Sequence, residues 1–166
     1  MNERLLQGSD YPDDTGETSP PLAAALSAYA GDDSRYADVL AALGASRLLV
    51  PVVAVLGETE LGADGLARDK SSDMAAVLLR GADGRTALLA FSSTATLTAW
   101  NPDGRPVPVP TRTAALSALQ EGAEALLVDV AGPVPVAVEG EDLSALAAGW
   151  RLARVGGRTA WVAPAD

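Results

Sequence analysis

The chain contains no cysteine and no histidine. Thiol nucleophiles, disulfides, imidazole general bases and the usual zinc, copper and iron ligand sets are excluded together, because each needs a thiolate or an imidazole. Aromatic residues are also scarce, 4% against 48% hydrophobic overall, so the core must be built from alanine, valine and leucine. Basic residues are outnumbered, 12 against 22 acidic, for a formal charge of -10. Such a surface repels phosphate backbones and anionic lipid, so neither nucleic acid nor membrane is an expected partner. No apolar run approaches the roughly 20 residues of a membrane span. The opening MNERLLQGSDYPDDTGE has no apolar stretch of signal-peptide type, and a cytoplasmic location is expected.

What is present reads as one α/β domain, a mixed α+β sheet with helices packed against it. Residues 1–19 are polar and acidic and are expected to form a disordered tail; the domain proper is assigned to 20–166. Ser19 can cap a helix carrying Leu22, Leu26 and Tyr29, and Asp32 or Asp33 a second with Tyr36, Val39, Leu40 and Leu43, each closed by glycine. Residues 48–56, LLVPVVAVL, read as a strand covered on both faces, with Pro51 demanding an edge or a bulge. Met74–Leu79 and Thr86–Phe91 flank a Gly-Ala-Asp-Gly turn and predict a hairpin, with a helix over Asp73–Arg80, capped by Ser72 and stopped by Gly81, as the alternative. Ser92 or Ser93 caps a short helix with Leu97 and Trp100. Arg105–Pro110, RPVPVP, should be extended with little pairing capacity, since alternate residues lack an N–H. Thr111 is expected to cap a helix with Ala115, Leu116 and Leu119 facing inward. Strands over 126–130 and 134–138 follow, then a short helix over 141–148. A terminal hairpin turns at Gly156-Gly157, with Leu152 opposite Trp161.

The densest cluster of reactive side chains is RDKSSD, residues 68–73. As a phosphate loop it fails at Asp69, which stands where a glycine must precede the lysine. As a calcium loop it fails at Met74 and Arg80, where the turn glycine and the bidentate glutamate belong. A Ser–Lys dyad of Lys70 with Ser71 or Ser72 is opposed by Asp69 and Asp73, which hold the amine charged. The bland reading is a hydroxyl- and acid-rich turn at a strand entry. Glu58 and Glu60 read as solvated loop charges. Asp129, an acid inside an apolar strand, must be hydrogen-bonded or at an exposed end, and a capping role at the Gly132-Pro133 turn accounts for it.

Taken in order, RLLVPVVAVLGETE, DKSSDMAAVLLRGADGRTALLAFSS, LTAW, RPVPVP and AALSALQEGAEALLVDVAGP resemble the N-terminal domain of the SseB family, the enhanced serine sensitivity proteins, in its actinobacterial form. The resemblance implies an α/β domain and carries no catalytic residue or cofactor to these positions. A non-enzymatic interaction or regulatory module is therefore expected, with no cofactor, no metal and no catalytic residue. Its partners are expected to be proteins, a homodimer included. The expected contact surface is Phe91, Ser92, Ser93, Trp100, Arg105, Pro106, Val107 and Pro108, beside the loop residues Asp69, Lys70, Ser71, Ser72 and Asp73. The alternative is a small-molecule or nucleotide-binding enzyme using Lys70, Ser71 and Asp129.

Overall fold

The computed structural model describes residues 11–54 and 74–165. Helix α1 (Pro20–Gly31) and a 3₁₀ turn (Asp33–Arg35) lead into α2 (Tyr36–Gly44). Strand β1 (Arg47–Ala54) follows, then β2 (Met74–Ala76), β3 (Leu78–Arg80) and β4 (Thr86–Ala90). The chain continues through α3 (Thr94–Trp100), β5 (Arg105–Pro110), α4 (Thr111–Gln120), β6 (Ala125–Val128), β7 (Val136–Glu139) and α5 (Gly140–Ala147). It ends on a hairpin of β8 (Arg151–Val155) and β9 (Arg158–Val162).

These elements make the mixed α+β domain that the sequence pattern predicts. One sheet has the order β2-β1-β5, a second β3-β4-β6-β7, and the hairpin stands apart as β8-β9. Among the described residues only β4 and β6 run parallel. The two larger sheets meet where Leu49 and Phe91 exchange N–H···O bonds of 2.7 and 2.8 Å. The segment expected as one strand over 74–79 is broken at Val77: β2 pairs with β1, and β3 pairs with β4 through the predicted turn.

Alternation along the strands divides the interior. Leu48, Val50, Val52, Leu88, Leu126 and Val138 join residues of α1, α2, α4 and α5 in the main core. Leu49, Leu89 and Phe91 point the other way, under Leu97 of α3. Burying each such side chain contributes about 1.5–3 kcal/mol.

Four expectations need correction. RPVPVP is paired along its whole length with β1, from Arg47↔Pro110 to Val52↔Arg105. Leu49 directs its N–H and C=O to Phe91, so the even residues of β1 face β5, where their partners are Val109, Val107 and Arg105. The prolines fall on the alternate positions, whose nitrogens face away from β1, and no ladder bond is lost. Pro51 likewise sits between the bridge at Leu49 and the start of β2 pairing at Val52.

Helix α4 is the second. Its buried face is Thr111, Ala114, Ala115 and Ala118, while Leu116 and Leu119 are each 41% exposed. Thr111 with the three alanines completes an i, i+3, i+4, i+7 stripe, and the small side chains permit close helix packing. Third, Thr111 lies inside the helix; its Oγ1 and N–H both bond the Ser46 carbonyl. Fourth, residues 11–19 are a strap tied to the domain rather than a disordered tail, as described below; residues 1–10 lie outside the described residues.

A polar knot at the carboxyl ends of β4 and β6

Two parallel strands deliver their carboxyl ends side by side, and the sequence places hydroxyls after one and a carboxyl group after the other. Past β4 come Phe91, Ser92 and Ser93; past β6 comes Asp129. Asp129 adopts a left-handed backbone, φ 58°, an uncommon state in which aspartate and asparagine are enriched. Its N–H bonds the Ala90 carbonyl at 3.0 Å and its own carbonyl accepts from Gly132 N–H at 3.0 Å. The side chain thereby turns inward, 3% exposed.

The carboxyl group is met by three donors. Oδ1 accepts from Ser92 N–H at 2.8 Å and from Thr96 Oγ1 at 2.7 Å; Oδ2 accepts from Ser92 Oγ at 2.6 Å. This is the hydrogen-bonded state that burial of an acid demands. Ser93 and Thr96 form a reciprocal capping box at the start of α3, with Ser93 Oγ accepting from Thr96 N–H at 3.1 Å.

The strap closes the same point from outside. Ser92 Oγ, having given its hydrogen to Asp129, accepts from Thr18 Oγ1 at 3.0 Å. Arg47, at the start of β1, donates to the Ser92 carbonyl at 2.6 Å and to the Glu17 carbonyl at 2.9 Å. It also grips Asp14 with two bonds of 2.6 and 2.9 Å. These bonds hold the Asp14 carboxyl below its ordinary range against the opposing effect of burial, helped by Gly16 N–H and the guanidinium charge. Thr94 N–H bonds the Gly16 carbonyl at 2.7 Å. Gly16 has φ 83°, and a Cβ there would lie 2.4 Å from Thr94 Oγ1, so only glycine lets the strap pass this close.

Chemically the cluster is a closed knot. Both Asp129 oxygens are occupied, Ser92 is 1% exposed, and the Arg47 guanidinium is committed to three partners. A cavity of about 340 Å³ lies beside the strap, lined by Tyr11, Asp14, Glu17, Ser19 and Arg47. Among the described residues no group of three acidic, histidine or cysteine side chains is placed to hold a metal ion.

The expected contact surface does not survive as one surface. Phe91, Ser92, Ser93 and Val107 are buried. Phe91 fills the smaller core and carries Trp100 on its ring at 5.6 Å between centroids, leaving the indole half-buried. Arg105 and Pro106 are exposed on the edge strand β5, and Pro108 is half-buried. Asp69, Lys70, Ser71, Ser72 and Asp73 lie outside the described residues, as do Glu58 and Glu60. Asp129 is hydrogen-bonded as expected, but its carboxyl group bonds Ser92 and Thr96 rather than capping the Gly132-Pro133 turn, which only its main-chain carbonyl meets. Sequence reasoning passed over Arg47, Asp14, Thr18 and Thr96; only Thr96, three residues after a serine at a helix start, carries a local signal.

A second aromatic feature lies at the chain's end. Trp161 Nε1 donates to Asp142 Oδ1 at 3.0 Å, and a cavity of about 330 Å³ opens between Ala145, Ala148, Trp150 and Trp161.

A mixed-sheet domain whose buried polar centre is satisfied by its own side chains is, as a class, a small α+β domain. The chain belongs to the SseB family: the family described as SseB protein N-terminal domain matches residues 22–145. No curated protein and no solved structure matches. The matched segment ends within α5, so the strap and the β8-β9 hairpin lie outside it. Among the described residues no helix is long and apolar enough to cross a membrane.

Proposed function

We propose that the chain is a non-enzymatic, cytoplasmic interaction module that acts by binding other proteins, in a regulatory capacity. The observation that carries this is the contrast between a closed polar centre and an open apolar exterior. The Asp129 knot spends its donors and acceptors internally, whereas Leu79, Leu116, Leu119, Trp150, Val155 and Val162 are 39–59% exposed. Large apolar side chains displayed on a highly charged domain are what association buries.

The test is affinity capture from native lysate with mass spectrometry, using wild type beside Trp100→Ala and Arg105→Ala. A saturable set of protein partners supports the reading, and the two variants decide whether the β5 side contributes. Capture of nothing above a denatured-protein control would contradict it.

A further inference from the structure

We propose that the free edge of β9 accepts an added β-strand from a partner protein, and that this strand carries acidic side chains between apolar ones. The proposal rests on the reading of the chain as an interaction module and gives that reading a site and a partner chemistry.

The edge is defined by the turn. Gly156 and Gly157 both have positive φ, 58° and 83°, and Val155 pairs with Arg158 across them. In a two-residue hairpin of this kind the flanking pair exchanges hydrogen bonds. The bonded pairs are then Val155↔Arg158, Ala153↔Ala160 and Arg151↔Val162, in the observed register. Alternation leaves the backbone N–H and C=O of Thr159 and Trp161 pointing outward from β9. Strand β8 packs on α2, whereas among the described residues β9 has no second strand beside it. Five residues offer about 17 Å of edge, with no proline in it, and such an edge is a template for strand addition.

The side chains specify what would add. Val155 and Val162 are 59% and 44% exposed on the outer face of the hairpin. Arg151 and Arg158 share that face, and Arg154 lies on the opposite face near the tip. All three arginines are exposed, none forms an ion pair among the described residues, and there is no acidic residue between Asp142 and Asp166. An otherwise acidic chain thus presents three uncompensated guanidiniums around an apolar strip. Alternating carboxylate and aliphatic side chains on an added strand complement both features. Two copies pairing β9 to β9 would instead bring six guanidiniums together. A nucleic acid has no use for the outward amides, which an added strand would pair.

The test uses the full chain and a fluorescent peptide of about ten residues alternating valine and glutamate, read by anisotropy. Wild type is expected to bind it saturably and to ignore the valine–lysine counterpart. Thr159→Pro, which removes an outward N–H and keeps the three bonded pairs, should weaken binding at least about tenfold, and Arg158→Glu about tenfold. The Thr159 and Trp161 amide resonances should shift on binding. If Thr159→Pro perturbs the hairpin in its own spectrum, Arg158→Glu and those two resonances decide. Failure of wild type to bind, or equal binding by wild type and Arg158→Glu, would overturn the proposal. So would preferential binding of single-stranded oligonucleotide or phosphatidylserine vesicles, or a concentration-dependent dimer dissolved by Thr159→Pro. Lysate partners retained equally by Thr159→Pro would remove this edge and leave the interaction module standing. An empty capture would remove both.

Discussion

β5 and β9 are both edge strands with exposed arginine at one end, and the chain finishes them in opposite ways. On β5 the nitrogens facing away from the sheet belong to Pro106, Pro108 and Pro110, so its outer edge offers acceptors and no donor. Strand β7, the edge of the other large sheet, is met by α2, whose Tyr36 hydroxyl donates to the Ala137 carbonyl at 3.1 Å. Strand β9 has neither device among the described residues. The comparison extends to the polar groups: Asp129 and Arg47 are enclosed by partners, while Arg151, Arg154 and Arg158 are left to solvent. The edges of β5 and β7 are thus finished against strand addition, and the hairpin outside the family-matched segment shows no such finish among the described residues.

The largest expected effect is in the closed region. Asp129→Ala leaves Ser92 N–H and two hydroxyls without their acceptor and should cost about 3 kcal/mol or more in urea unfolding. Asp129→Asn, which tolerates the same left-handed backbone, should cost less than half of that. Equal losses would mean that the knot's donors matter little.

Next comes the strap. Asp14→Asn should cost about 1.5 kcal/mol at neutral pH. The folded-state pKa of Asp14 lies below its ordinary value of 3.8, so its stabilisation is present above that value and is lost as pH falls through the lower, folded one. The difference in Tm between wild type and Asp14→Asn should therefore be constant above about pH 5 and shrink below about pH 4.

Tyr36→Phe removes the donor that covers β7 and should cost about 1 kcal/mol. Burial first, then the charge of Asp142, pushes the Tyr36 phenol up to about 12. A raised phenol pKa stabilises the fold below the unfolded value of about 10 and is lost as pH climbs to the folded one. Phenolate absorbance should show one tyrosine titrating about two units late, and the Tyr36→Phe variant should lack it.

The smallest effect on stability sharpens the comparison most. Pro106→Val with Pro108→Val restores two outward donors to β5 and should shift stability by less than about 1 kcal/mol. It should nevertheless create a second edge competent for pairing, seen as self-association by sedimentation.

Local chemistry made much of this legible. Glycines ended α1 and α2 where the sequence placed them, and the turns at 81–84 and Gly156-Gly157 set both hairpins. Trp161 faces Leu152 as the two-residue loop requires. What remained illegible depends on tertiary placement. The Arg47–Asp14 grip joins residues 33 apart in sequence, and nothing local distinguishes Arg47 from any arginine before a strand. A hydropathy pattern turns Leu116 and Leu119 of α4 inward because leucine outweighs alanine in it, although close helix packing selects the smaller side chain. The prolines of RPVPVP look like a bar to pairing in the sequence because their phase relative to β1 is fixed only when Leu49 meets Phe91.

The most direct measurement is titration of the labelled valine–glutamate peptide into wild type and Thr159→Pro at one salt concentration. An open β9 edge predicts saturable binding by wild type and at least about tenfold weaker binding by the variant. Superimposable curves, or no binding to wild type, would contradict it.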